Sequence, residues 1–490
     1  MVKLVDAIQP RYLSNPAQPQ RRQLLSAFWI VSLGLFTYEI FVTNSSDLLI
    51  NFGAVSITFS ALLSSYLWCS DRAKGLPIFP IFALTYIWTH ALPLVSNYRN
   101  IIIYSPDKQL FASVTTSSFL LIGTAIWFQF VKSVPRIPNS YRSLSNKYSN
   151  QFFLFFLLIS MLFNMSATAG WISLEGGIFS ILRGGILALM AVSSFILGYK
   201  LGIRELSNLQ SRLFIFLLVG NMVVSAVSLL LIIGGTIALI SIIAFVIGRK
   251  KIPVLPIVLI FICLSMLHYG KGEMRAKYWT SSQSVQVQPW EYPVWYSEWI
   301  DYGFSYIGKR ENISKSKQKQ SFIERSSLIQ MLLLAQDKTP SLLPYLNGKT
   351  YAIIPQLLVP RIFNENKIIA NEGTNILSIH YGLATRESNY TITWGLLAES
   401  YANFGFFGSS GLAVVLGIIY GKITHWSINA PILSAQSLFG VLMTTYALQT
   451  EFTAGVYVSS FFQSSVIVCV IILIFMRNNR TLNPSGFNNK

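Results

Sequence analysis

The longest uncharged run of the sequence sets the firmest limit on its fold. Leu213–Ile247 contains 35 residues without one Asp, Glu, Lys or Arg. A single helix of that length, rising about 1.5 Å per residue, would be far longer than the ~30 Å hydrocarbon core of a bilayer. We therefore expect two membrane-spanning helices in this stretch, joined by a turn at Gly234–Gly235.

Apolar runs of similar character occur along the rest of the chain. Charged residues make up 11% of the sequence, which is less than half of the roughly 25% found in soluble domains. Such a chain cannot cover a globular surface with polar side chains, and this excludes a cytosolic enzyme, a disordered scaffold and a disulfide-rich secreted module. We predict an all-α polytopic membrane protein with about twelve transmembrane helices, near residues 23–43, 48–68, 76–96, 111–131, 151–169, 185–201, 213–231, 232–248, 252–269, 404–424, 432–450 and 455–476.

The cysteines give no sign of a disulfide framework or a metal centre. Cys69, Cys263 and Cys469 lie far apart, each in or beside an apolar run. No CxxC, CxxH or HExxH spacing occurs in the chain, although zinc sites and disulfide-rich modules depend on such clustering. We expect no metal site and interpret the three thiols as small apolar packing residues.

The net charge of +18 is distributed according to membrane topology. With the N-terminus in the cytoplasm, the segments predicted to face inward contain 20 Lys and Arg residues and three acidic residues. Cytoplasmic loops carry this excess in membrane proteins. The charge therefore predicts that both termini are cytoplasmic, and it gives no reason to expect a nucleic-acid partner.

One connection is much longer than the others and divides the chain into three parts. We predict an N-terminal transmembrane bundle of about nine spans over residues 1–269, a large external loop region over 270–403, and a C-terminal bundle of about three spans with its tail over 404–490. The loop region is expected to be partly helical. Ser321–Gln336 has apolar residues at helical spacing, and Asp337–Pro340 should end that helix because proline blocks its continuation.

The loop region also holds the basic residues that most suggest chemistry. They follow apolar or glycine-rich sequence in Gly270–Arg275, Val359–Phe363 and the stretch from His380 to Tyr390, which leads to Glu399–Gly408. Another basic residue, Arg183, lies in a glycine-rich stretch before the sixth span. A guanidinium stays charged and offers paired donors to phosphate oxygens. External arginines above a bilayer therefore suit a lipid-linked pyrophosphate.

These segments resemble the C-terminal half of the Wzy-type O-antigen and oligosaccharide repeat-unit polymerases. The residues that carry the resemblance run from Arg325 through Thr339–Pro340, Gly348–Tyr351 and Pro360–Arg361 to Glu399–Gly408. The number of spans and the single large loop before the last three fit the same family. The resemblance implies a GT-C-like fold in a bacterial inner membrane, with the large loop in the periplasm.

The same resemblance implies a metal-independent glycosyltransferase without a cofactor. It would polymerise undecaprenyl-pyrophosphate-linked oligosaccharide repeat units into an O-antigen, a capsule or an exopolysaccharide. Its partners would be those lipid-linked glycans, the bilayer and a chain-length-regulating co-polymerase. Two alternatives stay open, namely an O-antigen ligase-like glycosyltransferase and a flippase or exporter of lipid-linked oligosaccharides.

The resemblance also suggests roles for particular residues. Arg361 and Arg386 would clamp the pyrophosphate of the donor, and Lys271 and Arg275 would assist them from the end of the ninth span. Either His380 or Glu399 would activate the acceptor hydroxyl. The remaining candidates for binding sugar or pyrophosphate are Tyr390, Tyr401, Asn403 and Arg183.

Overall fold

A computed structural model describes most of the chain. The described residues are 18–43, 47–136, 138, 140–172, 177–249, 251–279, 286–308, 322–359, 364, 367–386 and 392–480. Within them the protein is almost entirely α-helical, and the long helices are uniformly apolar. The predicted class, an all-α polytopic membrane protein, is confirmed at this level.

Ten helices in the described part of the chain are long and apolar enough to cross a membrane. They are α1 (Gln18–Thr37, continued by a π-helical turn Tyr38–Val42), α2 (Leu48–Cys69), α6 (Pro106–Val131), α7 (Asn146–Thr168), α8 (Gly177–Gly202), α9 (Asn208–Ala226), α10 (Leu231–Arg249), α11 (Val254–Tyr278), α18 (Leu396–Ser427) and α20 (Ala454–Phe475).

Two of the twelve predicted spans correspond to shorter helices. The third is α3 (Ile78–Tyr86), which continues through a π-helical turn, Ile87–Ala91, into α4 (Leu92–Leu94). The eleventh is α19, whose 13 residues cover Ala435–Ala447. Every predicted span therefore contains a helix, but only ten have the length and composition of a full crossing among the described residues. The figure of twelve crossings stays a prediction.

The predicted turn at Gly234–Gly235 is wrong. The chain turns earlier, between Ala226 and Leu231, where Leu229 adopts a φ of 60°. Both glycines lie inside α10. A Cβ atom on Gly234 would lie 3.2 Å from the carbonyl oxygen of Met222 on α9. The glycine therefore serves close packing of two helices instead of a reversal of the chain.

The segments predicted to face the cytoplasm meet at one end of the helix bundle, here called the strand end. Strand β1 (Ser140–Ser143) pairs antiparallel with β2 (Arg477–Arg480), close to the C-terminus. Nearby, the Lys74 amide donates to the Val131 carbonyl over 2.9 Å, and the Leu144 amide donates to the Leu433 carbonyl over 3.1 Å. These contacts join connections that are far apart in the sequence.

The opposite end, here called the loop end, carries the remaining short helices. They are α5 (Arg99–Ile102), a 3₁₀ turn Pro289–Glu291, α12 (Tyr292–Gly308), α13 (Phe322–Arg325), α14 (Ile329–Lys338), α15 (Lys349–Ala352), α16 (Ile354–Leu358) and α17 (Glu372–His380). Helices extend into the predicted loop region from both sides, because α11 continues beyond residue 269 to Tyr278 and α18 begins before residue 404, at Leu396.

The helix predicted over Ser321–Gln336 is instead two helices, α13 and α14. The break falls at residues 326–328, where the chain bonds to the end of the third span. The Leu328 amide donates to the Thr89 carbonyl over 2.9 Å, and the Ser326 hydroxyl lies 3.4 Å from the Trp88 carbonyl. These external bonds replace helical ones and hold α13 beside the bundle. The helix does end at Lys338, as predicted from the following Thr339–Pro340.

Candidate functional site

A cavity of about 830 Å³ lies at the loop end of the bundle. Its walls come from α10, α11, the residues after α13, the approach to α18 and the segment that leads into α20. The charged and imidazole-bearing residues of its lining are His268, Lys271, Arg275, Arg325 and Glu451. This volume is in the range of cavities that hold small molecules or cofactors.

Helix α11 supplies two of the cations. Lys271 and Arg275 are four residues apart and therefore lie on the same face of the helix. An Nη atom of Arg275 donates to the Leu229 carbonyl over 2.8 Å, and its guanidinium carbon lies 3.9 Å from the centroid of the Trp279 ring. The guanidinium is thus fixed on one side. Its Nε atom is buried and has no hydrogen-bond partner among the described residues.

The third cation, Arg325, comes from a distant part of the sequence. It ends α13, directly before the break that bonds to the third span, and its side chain is exposed. Lys271, Arg275 and Arg325 lie close enough to act on one another electrostatically. Three neighbouring positive charges in a partly buried cavity favour a multiply charged anion, since it would neutralise their mutual repulsion.

Glu451 is the acidic residue of this cavity lining. It lies on the short connection between α19 and α20, and its backbone carbonyl accepts from the Gly395 amide over 3.2 Å. Burial raises the pKa of its carboxyl, and the positive charge of Lys271 opposes that shift only in part. Since the lining holds three cations and one carboxyl group, it is electropositive overall.

Glu399, predicted as a catalytic base, lies behind the cavity wall. Its carboxylate is fully buried in α18 and accepts from the backbone amide of Ala454, the first residue of α20, over 2.5 Å. Its Oε1 atom is buried and has no hydrogen-bond partner among the described residues. The bond to Ala454 fixes the start of α20, and Glu451 precedes that point by three residues. The geometry makes Glu399 a residue that positions the cavity wall.

Two more predicted binding residues are part of the same support. Asn403 is fully buried and donates from Nδ2 to the Thr350 hydroxyl over 2.9 Å, while its Oδ1 accepts from the Gly348 amide over 3.0 Å. It thereby ties the loop before α15 to α18. Tyr401 is also buried on α18. Neither residue belongs to the cavity lining.

The remaining predicted residues are spread over the loop end. His380 ends α17, and its Nε2 atom lies 3.0 Å from the Pro344 carbonyl oxygen. Arg386 is exposed, and neither it nor His380 lines the cavity. Arg361 and Tyr390 lie outside the described residues.

The structure thus brings together Lys271 and Arg275 from the predicted set and adds residues that sequence reasoning missed. Arg325 was noted only as part of the family resemblance, and His268 and Glu451 were not assigned roles. An ionisable residue at the end of an apolar run is a signal that could have drawn attention to His268 and Glu451, because such positions are often functional. Arg325 has no comparable signal, since its place depends on the contact of residues 326–328 with the third span.

An apolar groove of about 590 Å³ adjoins the cation-lined cavity. Residues of α8, α9, α10 and α11 form it, and Leu231 and Leu264 line both spaces. The groove extends from Tyr296 near the loop end to Pro253 at the start of α11. A cationic cavity beside an apolar groove matches an amphiphile with an anionic head and a long apolar chain.

Comparisons with protein-family models, with curated proteins and with solved structures gave no match.

Proposed function

We propose that the protein polymerises oligosaccharide repeat units carried on a polyprenyl pyrophosphate such as undecaprenyl pyrophosphate. The observation that carries this proposal is the meeting of Lys271, Arg275 and Arg325 in one cavity that adjoins an apolar groove. The sequence resemblance supplies the reaction class. The loop end would then face the periplasm of a bacterial inner membrane, as the positive-inside rule predicts.

The donor would bind with its pyrophosphate among the three cations. Its polyprenyl chain would occupy the apolar groove beside Leu231 and Leu264, where burial of each methylene group contributes about 0.8 kcal/mol. Its glycan would extend from the loop end toward water. In this pose the protein holds the leaving group at a fixed place, so that the anomeric carbon is presented to an acceptor.

The reaction is a displacement at the anomeric carbon of the donor. A hydroxyl oxygen of a second repeat unit forms the new C–O bond, the bond to the pyrophosphate breaks, and the hydroxyl proton passes to a base. Negative charge develops on the departing pyrophosphate. Lys271, Arg275 and Arg325 would stabilise that charge, which is the principal electrostatic task of such a site.

The alternatives differ in acceptor or in direction of movement. A ligase-like enzyme would need the same cationic cavity but would transfer finished glycan to another molecule. A flippase or exporter would need charged or polar residues along a path through the bundle. The apolar groove has hardly any polar lining, which favours lipid anchorage over passage of a glycan.

The test is the size profile of glycans in a strain that lacks the gene. We expect single repeat units at the outer face of the membrane, and a polymer ladder restored by the wild type. Loss of a flippase would leave the units inside the cell, and loss of a ligase would leave polymer on its lipid carrier. An unchanged ladder in the deletion strain would refute the proposal.

A further inference from the structure

A second cavity, of about 390 Å³, adjoins the cation-lined cavity. It lies among α8, α10, α19 and α20, and Arg183 is at its edge. Ile232, Glu451 and Phe452 line both cavities. These three residues therefore form a partition, and Glu451 is its ionisable member.

The polar lining of the second cavity consists mainly of uncharged hydroxyl and amide groups. Among them are Thr236, Thr445, Gln449 and Gln463. Gln449 contacts Thr236 through a long hydrogen bond of 3.5 Å between Nε2 and Oγ1. Neutral donors and acceptors of this kind suit sugar hydroxyl groups, which carry no charge and need hydrogen bonds when they leave water. The two cavities therefore differ in chemistry, since one is lined by three cations and the other by a largely apolar wall that carries neutral polar groups.

We propose that the second cavity binds the acceptor sugar and that Glu451, in the partition between the two cavities, is the base that takes the proton of the attacking hydroxyl. This assignment rests on the proposed function and completes it with an acceptor site. The donor would enter from the cationic cavity and the acceptor from the second, so that the anomeric carbon and the acceptor oxygen meet beside the Glu451 carboxylate. One Glu451 oxygen takes the hydroxyl proton as the new C–O bond forms, and polyprenyl pyrophosphate departs as the anion.

Other candidate bases are less well placed. Glu399 is fully buried, accepts from the Ala454 amide and lines neither cavity. His380 bonds at Nε2 with the Pro344 carbonyl and lines neither cavity. By contrast, Glu451 lines both cavities.

The charges around Glu451 match this role. Lys271 of α11 acts on Glu451 electrostatically. His268, Arg275 and Arg325 line the same cavity as Lys271, and Arg183 of α8 lines the second cavity. Burial raises the pKa of the Glu451 carboxyl while Lys271 favours its ionised form. A carboxylate of raised pKa is a stronger base than an exposed one. It becomes ionised only at a correspondingly higher pH. The rate should therefore fall on the acid side, as Glu451 becomes protonated.

The experiment uses the purified full-length protein in lipid vesicles, with lipid-linked repeat units as substrate. Glu451→Gln keeps the size of the side chain but cannot accept a proton. We expect its turnover to fall by roughly 10²- to 10⁴-fold, the usual contribution of a general base. Binding of farnesyl pyrophosphate, a short soluble polyprenyl pyrophosphate, should persist. Glu451→Asp should retain part of the rate, with its acid limb at a different pH.

Acceptor binding is tested separately with Gln463→Leu, which removes an amide from the second cavity. We expect a higher KM for the acceptor repeat unit and unchanged farnesyl pyrophosphate binding. A Glu451→Gln enzyme that polymerises at the wild-type rate with the wild-type pH profile would overturn the assignment and leave the proposed function standing. Loss of farnesyl pyrophosphate binding in that variant would overturn it as well, because Glu451 would then only support Lys271. A wild type that makes no polymer would refute both.

Discussion

Replacement of Arg275 tests the cationic cavity at its best-defined side chain. One Nη atom of Arg275 is held by the Leu229 carbonyl, and the guanidinium lies over the Trp279 ring. Its buried Nε atom has no hydrogen-bond partner among the described residues. Arg275→Ala removes these donors and one of the three charges of the cavity.

The size of the effect follows from the bonds that are lost. A hydrogen bond between charged groups contributes about 1.5–3 kcal/mol, which corresponds to roughly 10- to 150-fold in affinity. We expect Arg275→Ala to weaken binding of farnesyl pyrophosphate by this factor. Arg275→Lys should have a smaller effect, because it keeps the charge but loses the paired donors.

The assay is calorimetric titration of the detergent-solubilised protein with farnesyl pyrophosphate at fixed ionic strength. Arg99→Ala is the matched control, since Arg99 is an exposed arginine at the same end of the bundle and does not line the cavity. It should bind like the wild type. A folded Arg275→Ala protein could instead bind farnesyl pyrophosphate with an affinity within about twofold of the wild type, which is well below the change expected from one charged hydrogen bond. That result would mean that the pyrophosphate site lies elsewhere.

Three further substitutions test the supports of the site and of the bundle by thermal unfolding in detergent. Glu399→Ala leaves the Ala454 amide without its acceptor and should destabilise the fold by about 1–3 kcal/mol, whereas an unchanged melting temperature would contradict the bracing role. Gly395→Ala should destabilise the fold by about 1–3 kcal/mol, because Gly395 has φ 78° and ψ 158°, a region open only to glycine. A variant as stable as the wild type would show that the chain adopts another conformation there. Lys200→Met removes the buried ammonium that donates to Asn150 and Ser149, both at 2.7 Å, and should lower the free energy of unfolding by about 1–3 kcal/mol. An unchanged melting temperature would mean that water hydrogen-bonds to these groups in place of the lysine.

The sequence allowed the helices to be predicted because membrane insertion demands long apolar runs. The turn of the α9–α10 hairpin was placed wrongly, since a glycine pair suits either a chain reversal or close helix packing, and only the position of Met222 decides between them. Lys200 illustrates a related limit. No pattern in the sequence shows that it lies buried in α8 among polar side chains of α7.

The candidate site was only partly predictable for a similar reason. Lys271 and Arg275 could be found because they follow an apolar run and share one face of its helix. Their meeting with Arg325 and Glu451 depends on contacts between distant segments, such as those of residues 326–328 with the third span and of Gly395 with Glu451. No periodic pattern in the sequence encodes those contacts. The roles predicted for Arg361 and Arg386 stay predictions.

The central claim is that the cationic cavity holds the pyrophosphate of a lipid-linked donor. A cryo-electron microscopy structure of the full chain with undecaprenyl pyrophosphate is the most direct test. We expect density for the pyrophosphate between Lys271, Arg275 and Arg325, with the polyprenyl chain in the groove beside Leu231 and Leu264. A pyrophosphate bound at Arg386, with the cavity empty, would contradict the account.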